Sequence, residues 1–456
     1  WTETQKSDWS DGLTTNTTWY PETQLQLDGP GLTNWWDNNW KYRKKITINS
    51  TNSSTLTDYQ VQVTINTQEL ISAGKMQSDG DDIRFATEDG STTINYWIES
   101  GINTTSTKIW VKVPSIAANG DTVIYMYYGN PSASAASNVS STFIREIDGA
   151  QPVKGSWHFD EGSGGTAYDT SGNNNDGTLT NGPIWVDGKF GKALSFDGSN
   201  DYVNFGDLGR IEFNSISLWF KTTDTDDTTY GHALIAKRND GTETKGEFDL
   251  MLDQGVPKID LYSGDGNRVI VSAGANYADG EWHHVIVITN ASYLKIYIDG
   301  DFKESDATYD GNTRFGGEGN NLILARGFDS GAMYYVDCLI DEVHIYNRAL
   351  SDAEISDLYN NYGYTTTNYP GRVLVRKYAS PEPTISSVGS EEGKYYSSGN
   401  YKSNVLNTGA DDTKVTQVSW NPTSQPAGTN IQVSVRASNT SFSANDATPS
   451  WTSVSN

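Results

Sequence analysis

Alternation at the period of a β-strand dominates this chain. The runs Gly280-Glu281-Trp282-His283-His284-Val285 and Leu294-Lys295-Ile296-Tyr297-Ile298-Asp299-Gly300 switch between apolar and polar residues. Such a run puts one set of side chains on a core and the other on the opposite face of a sheet. Aromatic residues make up 12% of the chain, with 26 Tyr and 14 Trp, and 44 Gly provide turns. Rings suit the half-buried surface of a pleated sheet. The expected class is all-β, with tandem β-sandwich, jelly-roll-like domains.

At roughly 150 residues per domain, 456 residues predict two to four domains. Residues 1–34 are polar and turn-rich, and their apolar alternation at 23–27 is too short to build a core. Residues 35–145 read as a β-sandwich with strands at 42–48, 59–65, 83–86, 95–99, 109–113 and 123–128. Residues 150–363 read as a second, larger unit. In it Ser351-Asp352-Ala353-Glu354 is a capping box that opens a short helix. Gly363 is expected to end that helix, and it reads as the only regular helix in the chain. Residues 372–456 read as a C-terminal sandwich with few strands, possible strands being 373–375, 415–420 and 431–436.

Two of these units carry recognisable motifs. Leu194-Ser195-Phe196-Asp197-Gly198, Ser217-Leu218-Trp219-Phe220, the two runs above and Ile340-Asp341-Glu342-Val343-His344-Ile345-Tyr346-Asn347-Arg348-Ala349-Leu350 stand in order over about 150–363. This stretch resembles the laminin-G-like, concanavalin-type family. The resemblance implies one concanavalin-like sandwich, a fold used outside cells to bind sugars, proteins or calcium; fold alone does not choose among them. Trp40-Lys41-Tyr42-Arg43-Lys44-Lys45, Asp81-Asp82-Ile83-Arg84-Phe85, Tyr96-Trp97-Ile98-Glu99 and Ile124-Tyr125-Met126-Tyr127-Tyr128-Gly129-Asn130-Pro131 resemble a prokaryotic β domain of unknown function. That family often sits beside laminin-G-like modules in large surface proteins.

Charge and composition narrow the partners. A net charge of -25 repels nucleic acid and anionic lipid. No apolar stretch of about 18 residues exists to span a membrane. The single cysteine, Cys338, rules out an internal disulfide. Seven Asn-x-Ser/Thr sequons, at Asn16, Asn49, Asn52, Asn103, Asn138, Asn290 and Asn439, fit a secreted or cell-surface glycoprotein.

Three kinds of chemistry are weighed. All five His, at 158, 232, 283, 284 and 344, lie in the second unit. Zinc needs several to converge; no His-x-x-x-His spacing occurs, and His283 and His284 alternate faces, so neither zinc nor catalysis is expected. A glycosidase needs two carboxyl groups about 5 to 9.5 Å apart. Glu247 and Asp249 share a strand face, but Leu252 stands where a further carboxylate would be needed. Calcium wants several oxygens. Asp169-Thr170-Ser171-Gly172-Asn173-Asn174-Asn175-Asp176-Gly177 supplies them, from Asp169, Ser171, Asn173, Asn175 and Asp176. The family resemblance adds Asp160 and Asp341 by position. The alternative is an Asx-turn loop that hydrogen-bonds itself. Asp224, Asp226 and Asp227 form a weaker second cluster. Tyr230, Trp185, Tyr277 and Phe328 are nominal sugar platforms.

The expected function is binding and architecture outside the cell, without catalysis. In one form the chain is a subunit of an extracellular filament or layer, in which the first segment adds strands to the last module of another copy, head to tail. In another it is a surface adhesin that holds glycans or proteins, with calcium as its possible cofactor. A third form is an accessory binding region of a larger secreted enzyme.

Overall fold

The computed structural model describes residues 34–147, 153–208, 215–225, 232–237, 248–262, 268–290, 292–306, 320–329 and 332–394. It also gives the backbone of short strands at Leu13–Thr15, Thr17–Trp19, Leu25–Leu27, Asn400–Lys402, Val433–Val435 and Thr452–Val454. Tyr230, Asp226, Asp227, Glu247, Asn16 and Asn439 lie outside the described residues.

The first sandwich follows from alternation. In the strand Leu56–Ile65, Tyr59, Val61, Val63 and Ile65 point into its core. In the strand Thr107–Ile116, Ile109, Val111 and Val113 do the same. These two strands and Tyr96–Ser100 make a three-stranded sheet. The facing sheet runs in the order Thr384–Gly393, Tyr42–Ser50, Gly120–Tyr128, Arg84–Thr87, Thr93–Ile94.

The edge strand of that facing sheet corrects the expected C-terminal domain. Thr384–Gly393 pairs with Tyr42–Ser50, from Thr384↔Asn49 to Gly393↔Tyr42. Val373–Arg376 pairs with Arg145–Ile147 on one side and Tyr362–Tyr364 on the other. The chain therefore leaves the first sandwich, builds the second, and returns to complete the first. Pairing with an open edge satisfies backbone groups that short strands alone would leave exposed. The first segment also differs from expectation. Thr17–Trp19 pairs with Leu25–Leu27, and Leu13–Thr15 pairs with Asn400–Lys402 of the same chain. The segment does reach the C-terminal region, but within one chain rather than between two.

The second sandwich has two eight-stranded antiparallel sheets. Its core includes Trp157, Leu194, Phe196, Ile216, Leu218, Phe220, Leu250, Val285, Val287, Ile296 and Ile340. One sheet, which contains Val153–Trp157, Ser215–Lys221, His283–Asn290 and Asp337–Tyr346, has its other face covered. The helix Asp352–Asn360 lies there. It opens with the expected capping box, and it ends at Asn361, so Gly363 sits in a strand instead of capping the helix. It is also not the sole helix, since Thr67–Ser72 and Val139–Thr142 are helical. Ile355 and Leu358 pack on Ile286, Ile288, Tyr297 and Tyr346. At roughly 1.5–3 kcal/mol per large buried apolar side chain, these contacts hold the helix down. No helix among the described residues is long and apolar enough to cross a membrane.

Candidate functional site

The two sandwiches and the returning chain enclose a cleft of about 660 Å³. Strand alternation sets its first wall. With Tyr59 and Val61 in the core, Gln60, Gln62 and Thr64 turn outward, and Lys108 and Trp110 do so from the neighbouring strand. The opposite wall is Asp160 and Tyr362 of the second unit, with Tyr364, Arg376 and Glu382 of the connecting chain.

Two buried charges fix these walls together. Glu99 is buried, and its carboxylate accepts from Trp110 Nε1 at 2.9 Å, Tyr364 Oη at 3.1 Å, Thr366 Oγ1 at 2.7 Å, Asn368 Nδ2 at 3.0 Å and Gln62 Nε2 at 3.2 Å. Burial alone would raise its pKa, but these donors outweigh it and hold the group below its usual value. Arg376 lies over the rings of Tyr362 and Trp110, 4.5 and 5.2 Å from their centroids. Its Nη1 donates to Glu382 Oε1 at 2.5 Å, and Tyr59 Oη bonds the same carboxylate at 3.3 Å. Burial pulls the guanidinium pKa down, and Glu382 more than offsets it. A planar cation between rings and a carboxylate is a rigid element of a binding wall.

Beneath Tyr362 lies a sealed polar network on the covered face of the sheet. Its residues share that face because the strand Asp337–Tyr346 changes parity. Cys338 and Ile340 point into the core, and then Val343 and Ile345 do. The register against Ser215–Lys221 slips between Ser217↔His344 and Trp219↔Asp341, and Glu342 takes φ 52°. This is a β-bulge, which re-aims side chains locally. It turns Glu342 and His344 onto the outer face, where Val153–Trp157 pairs alongside and delivers Ser156 and His158. His158 Nδ1 lies 2.9 Å from both oxygens of Glu342, and His344 Nε2 lies 3.2 Å from Oε2. Tyr362 Oη is 3.2 Å from His158 Nδ1. Burial pushes Glu342 up to about 7 and His158 down to about 4. Desolvation lowers His344 and pushes His284 down to about 3.

The expected calcium ligands are placed differently. Asp169 Oδ1 accepts from the backbone amides of Ser156 and Ser171, at 3.0 and 2.9 Å, and Oδ2 accepts from that of Asn175 at 3.0 Å. Asp176 Oδ1 takes the Asp169 amide at 2.8 Å. Ser171 Oγ accepts from Asn173 Nδ2, which also bonds Val153 O, and Asn175 Nδ2 donates to Lys154 O. Within the loop, backbone amides therefore donate to the Asp169 and Asp176 carboxylates, as in an Asx turn. Asp341 accepts from the amides of Phe190 and Glu342, and Asp160 from that of Lys192. Among the described residues, the His, Cys, Asp and Glu side chains grouped closely enough to hold a metal are His158, Glu342 and His344.

The other expected residues that are described lie in several places. Asp249 is buried on the far side of a strand whose Phe248, Leu250 and Leu252 fill the core. Asp224 pairs with His232 at 2.6 Å. Trp185 and Tyr277 pack against the core, and Phe328 lies in the short hairpin Arg326–Asp329/Ala332–Tyr335. Of the sequons, Asn103 and Asn138 are exposed, whereas Asn49, Asn52 and Asn290 are half-buried. The cleft and the His/Glu cluster were missed at the level of sequence. The visible signal was Glu342-x-His344, two side chains on one face of a strand.

Two family models match the chain. Residues 197–356 match the concanavalin A-like lectin/glucanases superfamily, and residues 79–169 match a domain of unknown function (DUF2341). Among curated proteins, the non-toxic nonhemagglutinin of Paraclostridium bifermentans is 24% identical over 208 residues, which is 42% of this chain and 16% of that protein. The chain thus spans less than a fifth of that relative. Among solved structures, the binding domain of paraclostridial mosquitocidal protein 1 is 18% identical with a TM-score of 0.37, over 46% of this chain and 52% of that one. Domain 4 of a GH43 extracellular arabinanase from Geobacillus stearothermophilus, solved with arabinotriose, is 22% identical with a TM-score of 0.37, over 46% and 98%. The chain thus carries a concanavalin A-like lectin/glucanases superfamily domain, with a domain of unknown function N-terminal to it.

Proposed function

We propose that this chain is a non-catalytic, extracellular carbohydrate-binding protein whose ligand lies in the cleft between its two sandwiches. The carrying observation is the cleft itself. It is preformed, about 660 Å³, and combines rings, amides and a fixed ion pair in Tyr59, Trp110, Gln62, Arg376 and Glu382. Sugars are held by apolar ring faces with a few convergent polar groups. The superfamily's lectin members make a sugar the first class to test. The outer sheet face of the second sandwich is closed by the helix Asp352–Asn360, with Trp219 and His284 stacked under Tyr359, which favours the cleft over that face.

A binding role rather than hydrolysis is supported by the state of the carboxylates. Asp341 and Glu342 are buried under the helix. Glu382 at the cleft is engaged by Arg376 and Tyr59. Calcium has weaker support, because Asp169 accepts from three backbone amides and Asp176 from one. Assembly by strand donation has none from Leu13–Thr15, which pairs within its own chain.

A glycan array with the full chain tests the reading. The exposed Thr64 on the cleft wall is replaced by Trp to fill the space. Binding to at least one glycan by the wild type, lost in Thr64→Trp, is expected. No glycan bound by the wild type ends the carbohydrate reading, and unchanged binding by Thr64→Trp moves the site elsewhere.

A further inference from the structure

We propose that His158, Glu342 and His344 form a structural site for a zinc-class divalent metal ion on the covered face of the second sandwich. Their ligand atoms all lie within 4.8 Å of one another. Two imidazole nitrogens and one carboxylate oxygen suit a borderline ion such as zinc or cobalt(II), not calcium or magnesium, which want oxygens alone. All three side chains are buried, at 6%, 3% and 3% exposure, so the ion would be closed off as in a structural site.

The surrounding hydrogen bonds already have the arrangement that such ligands need. A metal-bound imidazole presents one nitrogen to the ion and donates from the other. His158 turns Nδ1 to Glu342 and Nε2 to Thr365 Oγ1 at 2.7 Å. His344 turns Nε2 to Glu342 and Nδ1 to Ser156 Oγ at 2.8 Å. With both far N–H groups donating, the hydroxyl protons of Ser156, Thr365 and Thr170 still have acceptors. Ser156 donates to Thr365 at 2.9 Å, Thr365 to Thr170 at 2.5 Å, and Thr170 to the Ser156 carbonyl at 3.1 Å. When the ion binds, each neutral imidazole carries its single proton on the far nitrogen and turns a lone pair inward, and Glu342 binds as the carboxylate, any proton it held leaving to solvent.

Two independent features point to an occupant. A void of about 10 Å³ borders Glu342 and His344, roughly the room of one water. His284 also lines it, 2% exposed, and its buried Nδ1 has no hydrogen-bond partner. That void gives a fourth, non-protein ligand a place beside Glu342 and His344. Charge supplies the second feature. Asp341 and Glu342 are adjacent buried carboxyl groups, and the hydrogen-bond partners of Glu342 are imidazoles rather than a lysine or arginine. A divalent cation would balance them.

The test uses the full chain, unfolded in chelator and refolded with cobalt(II) or zinc, then desalted. One equivalent of metal per chain is expected, with the visible absorption of tetrahedral cobalt(II). Zinc is expected to raise the melting temperature by about 5 °C over the chelated protein, since it binds the folded state only. His344→Gln should abolish retention, and Asp176→Asn, in the oxygen-rich loop, should keep it. X-ray absorption on the wild-type cobalt form reads the number of imidazole ligands directly, so the test stands even if His344→Gln does not fold. Less than a tenth of an equivalent retained by the wild type, retention by His344→Gln, or an all-oxygen shell would each overturn the site.

Discussion

The loop from Asp169 to Asp176 and the cluster of His158, Glu342 and His344 lie in one unit, joined through Thr170 and Ser156. The loop has the composition of a cation site, and the carboxylates of Asp169 and Asp176 accept from backbone amides. The cluster has only Glu342-x-His344 to announce it, and its nitrogens and oxygens face one another. Composition reports how many donor atoms a segment owns. Convergence depends on strand pairing and on one bulge, and only convergence makes a site.

The largest expected effect falls on the loop. Asp169→Ala leaves three amides, those of Ser156, Ser171 and Asn175, without their charged acceptor in a buried place. A loss of about 3–5 kcal/mol is expected, because each orphaned buried donor keeps its desolvation cost. Urea unfolding with the midpoint and slope compared measures it. A loss below about 1 kcal/mol would mean that the loop is not a self-supporting turn, and the contrast with the cluster would collapse.

Glu342→Gln should cost less, about 2–3 kcal/mol in chelated protein. Glutamine keeps one acceptor but presents an amide to two imidazoles that now donate to a carboxylate. The same change at Glu354 of the capping box offers a scale. Glu354 is held below its usual pKa to about 2, where burial is outweighed by Arg348 and Ser351, and it lies at a helix start rather than within a network.

Acid should separate the covered face from the rest of the fold. Burial pushes His284 down to about 3 from the ordinary 6.5. The unfolded chain then binds the proton that the folded chain refuses. Stability is intact above pH 6.5 and falls as the pH drops towards 3. At pH 5 the cost from this one group is about 2 kcal/mol. His284→Phe keeps a ring stacked on Trp219 and removes the proton site. Its stability relative to wild type should therefore rise steadily between pH 6.5 and pH 4. Parallel curves for the two proteins would show that His284 is not buried as neutral imidazole.

Much of the fold was legible. The alternations around Val61, Val111, Val285 and Ile296 specify which side chains enter the cores, and Ser351 and Glu354 specify where the helix begins. The destination of Thr384–Gly393 was not legible. Its pattern of Thr, Ser, Gly and Glu is that of a half-exposed edge, and only the open side of Tyr42–Ser50, more than 330 residues earlier, gives it a place. The cleft was hidden for the same reason, since Trp110 and Arg376 meet across two sandwiches. The parity change at Glu342 was hidden because a bulge leaves no mark in composition. An unbroken alternation through Ile340 and Ile345 cannot hold, as the two are five residues apart and both face the core. That mismatch is the one trace of the bulge in the sequence.

The smallest expected effect concerns calcium at the loop, and it bears most directly on the contrast. An ion there would need Asp169, Ser171, Asn173, Asn175 and Asp176 to turn several oxygens inward. Asp169 would have to release three amides. Each released amide forfeits about 1–3 kcal/mol if it stays buried. Occupancy by calcium at millimolar concentration returns only RT ln(1 + [L]/Kd), which is a few kcal/mol even at a thousandfold excess over Kd. The exchange does not favour the ion. Melting curves with added calcium and with chelator selective for it are expected to coincide within about 1 °C. A clear rise with calcium that disappears in Asp176→Asn would put the ion in the loop after all, and would show that backbone amides can be traded for a cation there.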